Sequence, residues 1–462
     1  MLKWNDIVCY PTGSHPYGSD VIAAHGRNWS ADICITLHDA WVFEPSSFAG
    51  TIPWVPWFPV DHDPLPPPVL DKMRSALSPV VFSHFAERMC KEAGLSPLYV
   101  PHGVDTESFR PRDRQEARAS LDLPMDRFIV GMVAANHGYP SRKSLPQALE
   151  AFARFRARHT DALLYLHTFR GDEPWAPPGV NLPPLVDHLG ITDSVLVANS
   201  YDNFVGLSDD YLARVYSACD CLLCPSMGEG FGVPILEAQA CACPVIVGDW
   251  TSMSELCFAG YKIPRGSSEP FWTGLNSYQW LPHVDSIVEG LEHMYEHRND
   301  EQLRRAAQDG ALPYDADHVT ERYWKPALDE IRGRLGESGR RGGRRPRALT
   351  GRDVPVHEFF IHADSGQFYE DLHTECTPWL DLCVLLQLIR RYRPSSFLEV
   401  GTHKGHVTRA VADRFPEMHI VTVDPGDKVP PQERHPSQIH EYLPQDQIGI
   451  LVADHPNVRV VR

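Results

Sequence analysis

Short apolar runs recur along the middle of the chain at intervals that leave room for a helix between them. They are FIVGMVA (Phe128–Ala134), ALLYLH (Ala162–His167), SVLVA (Ser194–Ala198), CDCLLCP (Cys219–Pro225) and PVIVG (Pro244–Gly248). Runs this short and this rich in branched residues read as strands buried on both faces. The segments Leu145–His159 and Leu212–Ala218 between them read as helices. Strands spaced by helices over 112–330 predict a parallel, doubly wound sheet, with ligands at the carboxyl ends of its strands.

The same alternation, weaker, runs through 1–110. Ile7–Tyr10 is a first strand candidate, and DICITL (Asp32–Leu37) is a second, ending at His38-Asp39. A Trp- and Pro-rich stretch from Ala40 to about Pro68 reads as a loop. Helix Leu70–Ala76, strand Pro79–Ser83, helix Glu87–Gly94 and strand Leu98–Pro101 follow. A helical stretch, Val319–Leu335, closes this part of the chain. Residues 336–354 (GESGRRGGRRPRALTGRDV) then change character: Gly, Pro and Arg dominate and apolar residues nearly vanish, the composition of a flexible basic linker. Beyond it Phe397–Val400, Val407–Phe415, His419–Val423 and Val458–Arg462 predict strand, helix, strand and strand of a further module.

Composition narrows the class. A net charge of −17 argues against a nucleic-acid partner. No run reaches the length of apolar sequence that spans a bilayer, so no membrane span is predicted. The start, MLKWNDIVCYP, lacks a cationic segment followed by an apolar core, and the 11 Cys are an odd, scattered set. Cys219, Cys221 and Cys224 lie in an apolar strand with no His nearby and read as buried thiols rather than metal ligands. A cytoplasmic location is the expectation.

The most chemically informative stretch is EGFGVPILEAQACACPVIVG, residues 229–248. Pro234 suits the first turn of a helix, where its missing N–H costs nothing. Gly230 and Gly232 let the backbone approach a ligand closely. Free N–H groups of the loop and helix start make an anion site. Glu237, one turn into the helix, can accept hydrogen bonds from a diol, and Glu229 stands at the other end. A phosphate cradle with a carboxylate at each end suits a sugar nucleotide.

These residues resemble the E-x7-E signature of the retaining GT-B glycosyltransferases of family four, and so do the surrounding words CPSMGEGFGVPILEA, PVIVGD and Ser254-Glu255-Leu256. VPHGVDTESFRP (100–111) resembles the connector between that family's two lobes. Ala242 departs from the pattern, which usually has Gly there. The resemblance implies an α/β fold of two Rossmann-like lobes, 1–110 for the acceptor and 111–335 for the donor, the first lobe truncated at its N-terminal end. It implies that Glu229 and the backbone of Gly230, Phe231 and Gly232 hold the donor sugar, and that Glu237 holds the ribose. Lys143 corresponds to a lysine that contacts the donor diphosphate. The family's arginine usually precedes it by a few residues, whereas here Arg142 is adjacent. His38 stands where the family often carries a His facing the reacting sugar. His84, His102 and His167 read as structural. The implied activity is transfer of a hexose from a nucleotide-diphosphate sugar to an acceptor hydroxyl, with no metal. Trp41, Trp54 and Trp57 either stack on an acceptor sugar or pack the loop. Asp61-x-Asp63 reads as a loop acid pair rather than a metal site.

In 355–462, Glu399-x-Gly401-x-x-x-Gly405 with Asp424 resembles motif I of class I methyltransferases. That resemblance implies a partial Rossmann-like module, with Glu399, Gly401, Gly405 and Asp424 toward S-adenosylmethionine, and one that stops at its third strand. Two rival readings remain open: a nucleotide-sugar binder without catalysis, and a bifunctional protein whose main activity is methylation of a glycan.

Overall fold

A computed structural model describes residues 2–4, 7–11, 13–173, 177–200, 207–339, 396–400, 419–423, 456 and 458–461. The chain divides into two units. One comprises 17–203 and 207–351, and the other 1–16, 204–206 and 352–462.

Within the larger unit, the first lobe is a four-stranded parallel sheet in the order Cys34–Leu37, Trp54–Phe58, Val80–Val81, Leu98–Tyr99. The second of these lies inside the segment whose prolines read as a loop. Pro56 is tolerated because pairing with Val80–Val81 begins only at Trp57. Trp54 is 1% exposed, stacks on Phe48 at 4.6 Å and donates from its indole to Thr36 Oγ1 at 2.9 Å. Trp57 donates to the Val100 carbonyl at 2.9 Å and packs edge-on against Trp324. Both are therefore packing residues, while Trp41 is exposed.

The second lobe is a six-stranded parallel sheet in the order Gly260–Ile263, Val245–Gly248, Cys221–Cys224, Phe128–Val133, Ala162–His167, Val195–Val197. Every residue of Cys221–Cys224 and Val245–Gly248 is buried, as continuous apolar runs require. Strand order reverses between Phe128–Val133 and Cys221–Cys224, which places the switch point of the sheet there. A hairpin that the sequence pattern did not reveal, Ser268–Trp272 with Tyr278–Pro282, follows the last strand. Helix Lys325–Gly339 is preceded by a π-helical turn, Thr320–Trp324, and buries Ala327 and Ile331 against Val55, Val80 and Val100 of the first lobe. The chain thus crosses back to the first lobe after the second-lobe sheet.

In the other unit, Ile7–Cys9 pairs antiparallel with Leu2–Trp4 and does not join the first-lobe sheet. A separate parallel sheet has His419–Val423 between Ser396–Val400 and Val458–Val461. Glu399 lies in its first strand. Gly401, Gly405, Asp424 and the expected helix 407–415 lie outside the described residues, as do 340–354 of the expected linker.

Candidate functional site

The site is built at the switch point, where the chain leaves Cys221–Cys224 and enters helix Val233–Ala240. Gly232 caps that helix at φ +102°, a conformation open to glycine. Ser252 Oγ donates to the carbonyls of Glu229 and Phe231, both at 2.7 Å, and the Glu229 N–H donates to Thr251 Oγ1 at 3.2 Å. The loop is thus tied down by helix Thr251–Leu256, which begins after the strand Val245–Gly248.

Glu229 is 6% exposed. Lys143 Nζ donates to its Oε1 at 2.5 Å, Ser226 Oγ donates to the same oxygen at 2.6 Å, and Arg142 Nη1 lies 3.3 Å from Oε2. Burial alone would raise this carboxyl. The Lys143 and Arg142 charges and the hydrogen bonds outweigh it and hold the group down at about 2. Arg142 also donates to the Gly228 carbonyl at 2.5 Å. The adjacent Arg142 and Lys143 therefore converge on one carboxylate, which adjacency in sequence did not reveal. The segment between the strand Phe128–Val133 and helix Leu145–Arg156 bends so that both side chains point the same way; Ser144 in it is left-handed.

Glu237 sits one turn into the helix, half-buried, and accepts from the Tyr216 hydroxyl at 2.7 Å. Burial raises its carboxyl to about 7 against the partial relief of that bond. Tyr216 was invisible as a site residue because it reads as the apolar face of helix Asp209–Ala218.

The first lobe reaches the same loop. A Cβ at Gly230 would stand 2.1 Å from Pro59 Cβ, and one at Gly228 would stand 2.3 Å from the Asp61 carbonyl. Gly230 is therefore required by the opposite lobe rather than only by ligand approach. The buried Phe231 ring packs near His102 and Tyr314, so what Phe231 offers a ligand is backbone. Burial lowers His102 to about 4, a neutral structural histidine. His38 stands exposed just beyond the strand Cys34–Leu37, and its Nδ1 accepts the Asp39 N–H at 2.8 Å. Burial and the Asp61 charge raise the Asp39 carboxyl.

Asp61 and Asp63 have separate partners. Asp61 lies 2.6 Å from His62 Nδ1, accepts from Gln279 Nε2 at 3.0 Å, and stands 3.7 Å from Arg142 Nη1. Asp63 pairs with Arg265 at 3.2 Å, and its backbone bridges to Tyr278 of the hairpin in both directions, at 3.1 and 3.3 Å. Among the described residues no group of three or more His, Cys, Asp or Glu is arranged to hold a metal ion. Glu255 accepts the N–H groups of His84 and Phe85 at 3.0 and 3.4 Å, capping a first-lobe helix, His84–Glu92, from the second lobe.

Residues 127–276 match the family of glycosyl transferases group 1. The match spans the sheet switch point, Arg142, Lys143 and the Glu229 loop. Among curated proteins, the chain is 30% identical over 254 residues to a D-inositol 3-phosphate glycosyltransferase of Stackebrandtia nassauensis, covering 54% of this chain and 50% of that protein. It is 35% identical over 188 residues to one of Mycobacterium leprae, covering 40% and 39%. The chain thus spans half or less of the length of these relatives. Among solved structures, sucrose-phosphate synthase from Thermosynechococcus elongatus superposes with a TM-score of 0.53 at 17% identity, over 70% of this chain and 78% of that one. Anabaena HepE in complex with UDP does so with a TM-score of 0.50 at 17% identity, over 67% and 82%. At such identities the likeness is one of fold, the Rossmann-like parallel sheets of GT-B glycosyltransferases.

Proposed function

We propose that this chain is a retaining glycosyltransferase that moves a hexose from a nucleoside diphosphate sugar to an acceptor hydroxyl. The observation that carries the reading is the convergence of Arg142, Lys143 and Glu229 at the switch point, one loop away from Glu237. Chemically, the step breaks the bond between the anomeric carbon and the diphosphate, and negative charge builds on the leaving phosphate. Lys143, Arg142 and the amides at the start of helix Val233–Ala240 supply positive potential there. Glu229, ionised and fixed, orients sugar hydroxyls, and Glu237 takes the ribose diol in the place where Tyr216 now donates. His38, with Nδ1 occupied by the Asp39 amide, has Nε2 left for the sugar. Transfer with retention, by a same-face displacement that leaves the acceptor proton on the departing phosphate, follows from the family resemblance. UDP is the first nucleotide to try because the HepE structure holds it. For 355–462 the reading is a partial methyltransferase-like module toward S-adenosylmethionine, and for the whole chain a cytoplasmic location.

The test is donor turnover by the full chain. With UDP-glucose, UDP-GlcNAc and GDP-mannose and a panel of hydroxyl acceptors, at least one donor should release its nucleotide, and Glu229→Gln should abolish the release. Absence of nucleotide binding by calorimetry for both UDP and GDP would refute the reading.

A further inference from the structure

Of the first-lobe acids near Arg142, Asp61 stands within ion-pair distance and Asp39 acts on it from farther away. Asp61 is fixed from three sides. Gln279, itself 4% exposed, donates to its Oδ2. His62, 5% exposed, holds Oδ1. The Asp61 carbonyl occupies the space that a side chain at residue 228 would need. What this scaffold delivers is a first-lobe carboxylate 3.7 Å from the guanidinium of second-lobe Arg142.

We propose that Asp61 is a built-in counter-anion of the donor site: it occupies the place on Arg142 that a donor phosphate takes, so that a ligand must carry enough negative charge to displace it. The inference rests on the glycosyltransferase reading and names how that site selects its nucleotide. Arg142 has two carboxylate partners of unequal hold. Glu229 belongs to the same lobe, is nearly buried, and is fixed by Lys143 and Ser226 at 2.5 and 2.6 Å. Asp61 belongs to the opposite lobe, its side chain is 22% exposed, and its contact is longer than the 3.3 Å pairing with Glu229. The Asp61 contact is therefore the one that yields. A diphosphate spans Arg142 and Lys143 together and brings more charge than Asp61 removes. A monophosphate exchanges one anion on Arg142 for another and gains little. Charges this close and partly removed from water act strongly on each other and are weakened by salt.

The sign of this effect separates it from a structural role. Removing a merely structural side chain weakens binding, whereas removing a competing charge tightens it. Calorimetry with UDP and UMP on the full chain, wild type against Asp61→Asn, should show UDP binding about tenfold tighter in the variant. UMP should gain more than UDP, so that the preference for the diphosphate narrows, and both gains should shrink in 0.5 M salt. Asp61→Ser, which also removes the charge, should behave the same way should the asparagine variant fold poorly. UDP affinity unchanged or weaker in variants that melt cooperatively overturns the inference while leaving the glycosyltransferase reading intact. Absence of UDP and GDP binding in the wild type defeats that reading, and this inference with it.

Discussion

Glu237 is the residue whose chemistry can be read most directly in solution. Its carboxyl is raised from an ordinary 4.5 to about 7, chiefly by burial. The folded chain therefore holds this proton more tightly than the unfolded chain does. The linkage has a definite sign: between 4.5 and about 7 the folded state is protonated and the unfolded state is not, so stability falls as pH rises through that window and is flat above it. At 1.36 kcal/mol per pH unit, the full loss is roughly 3 kcal/mol, an upper figure for a group that solvent still reaches. Glu237→Gln cannot titrate and lacks this slope. The amide still accepts from Tyr216, so the variant should fold. Thermal unfolding of both proteins from pH 4.5 to 8 should show the wild type losing stability relative to the variant as pH approaches 7. For a unit of this size the difference is about 1–2 °C per kcal/mol. A gap between the two proteins that does not change with pH would refute the burial argument. The same titration should appear in binding. A ribose diol donates to the ionised carboxylate, so UDP affinity of the wild type should rise through pH 7, and that rise should vanish in Glu237→Gln.

Lys143→Ala should slow donor turnover about 10²–10³-fold, as loss of a preformed donor to a developing oxyanion does, while melting stays cooperative; equal rates would remove Lys143 from the chemistry. Asp220→Ala should cost about 3–5 kcal/mol in urea unfolding, because it strips the carboxylate partner from Arg118, whose side chain is 5% exposed; a loss under 1 kcal/mol would mean that the backbone carbonyls around Arg118 suffice. Glu255→Ala should cost about 1–2 kcal/mol, the usual worth of a helix cap, and hydrogen exchange should speed up at the amides of His84 and Phe85; unchanged exchange there would show that the cap is dispensable.

What could be read from the sequence was whatever depends on local pattern. Five of the six second-lobe strands fall within a residue or two of their expected bounds, because buried parallel strands are short continuous apolar runs; the sixth, Gly260–Ile263, is an edge strand that no expectation covered. The Glu229–Glu237 spacing announced itself through its glycines and Pro234. Three things were hidden. Trp54–Phe58 was disguised by prolines that only an interrupted ladder permits. The first strand of the hairpin Ser268–Pro282 is half polar and largely exposed, so no apolar run marks it as a strand. The partners of Arg142 are hidden for a different reason. Glu229 and Asp61 pair with it, and Asp39 acts on it from farther away, across sequence distances of roughly 80–100 residues that no spacing rule reaches. The reason for Gly230 is likewise tertiary: the obstacle is a proline of the other lobe.

The cap that Glu255 places on helix His84–Glu92 has a thermodynamic consequence. A helix whose first amides are satisfied by another lobe is not a finished structure on its own. If the second lobe melts, the first loses the anion at its helix start; if that helix frays, Glu255 loses the amides it accepts from. Neither half can unfold at the full stability it has in the pair, so heating should melt the two lobes as one cooperative transition. A first lobe expressed alone should be less stable than its own buried core would suggest.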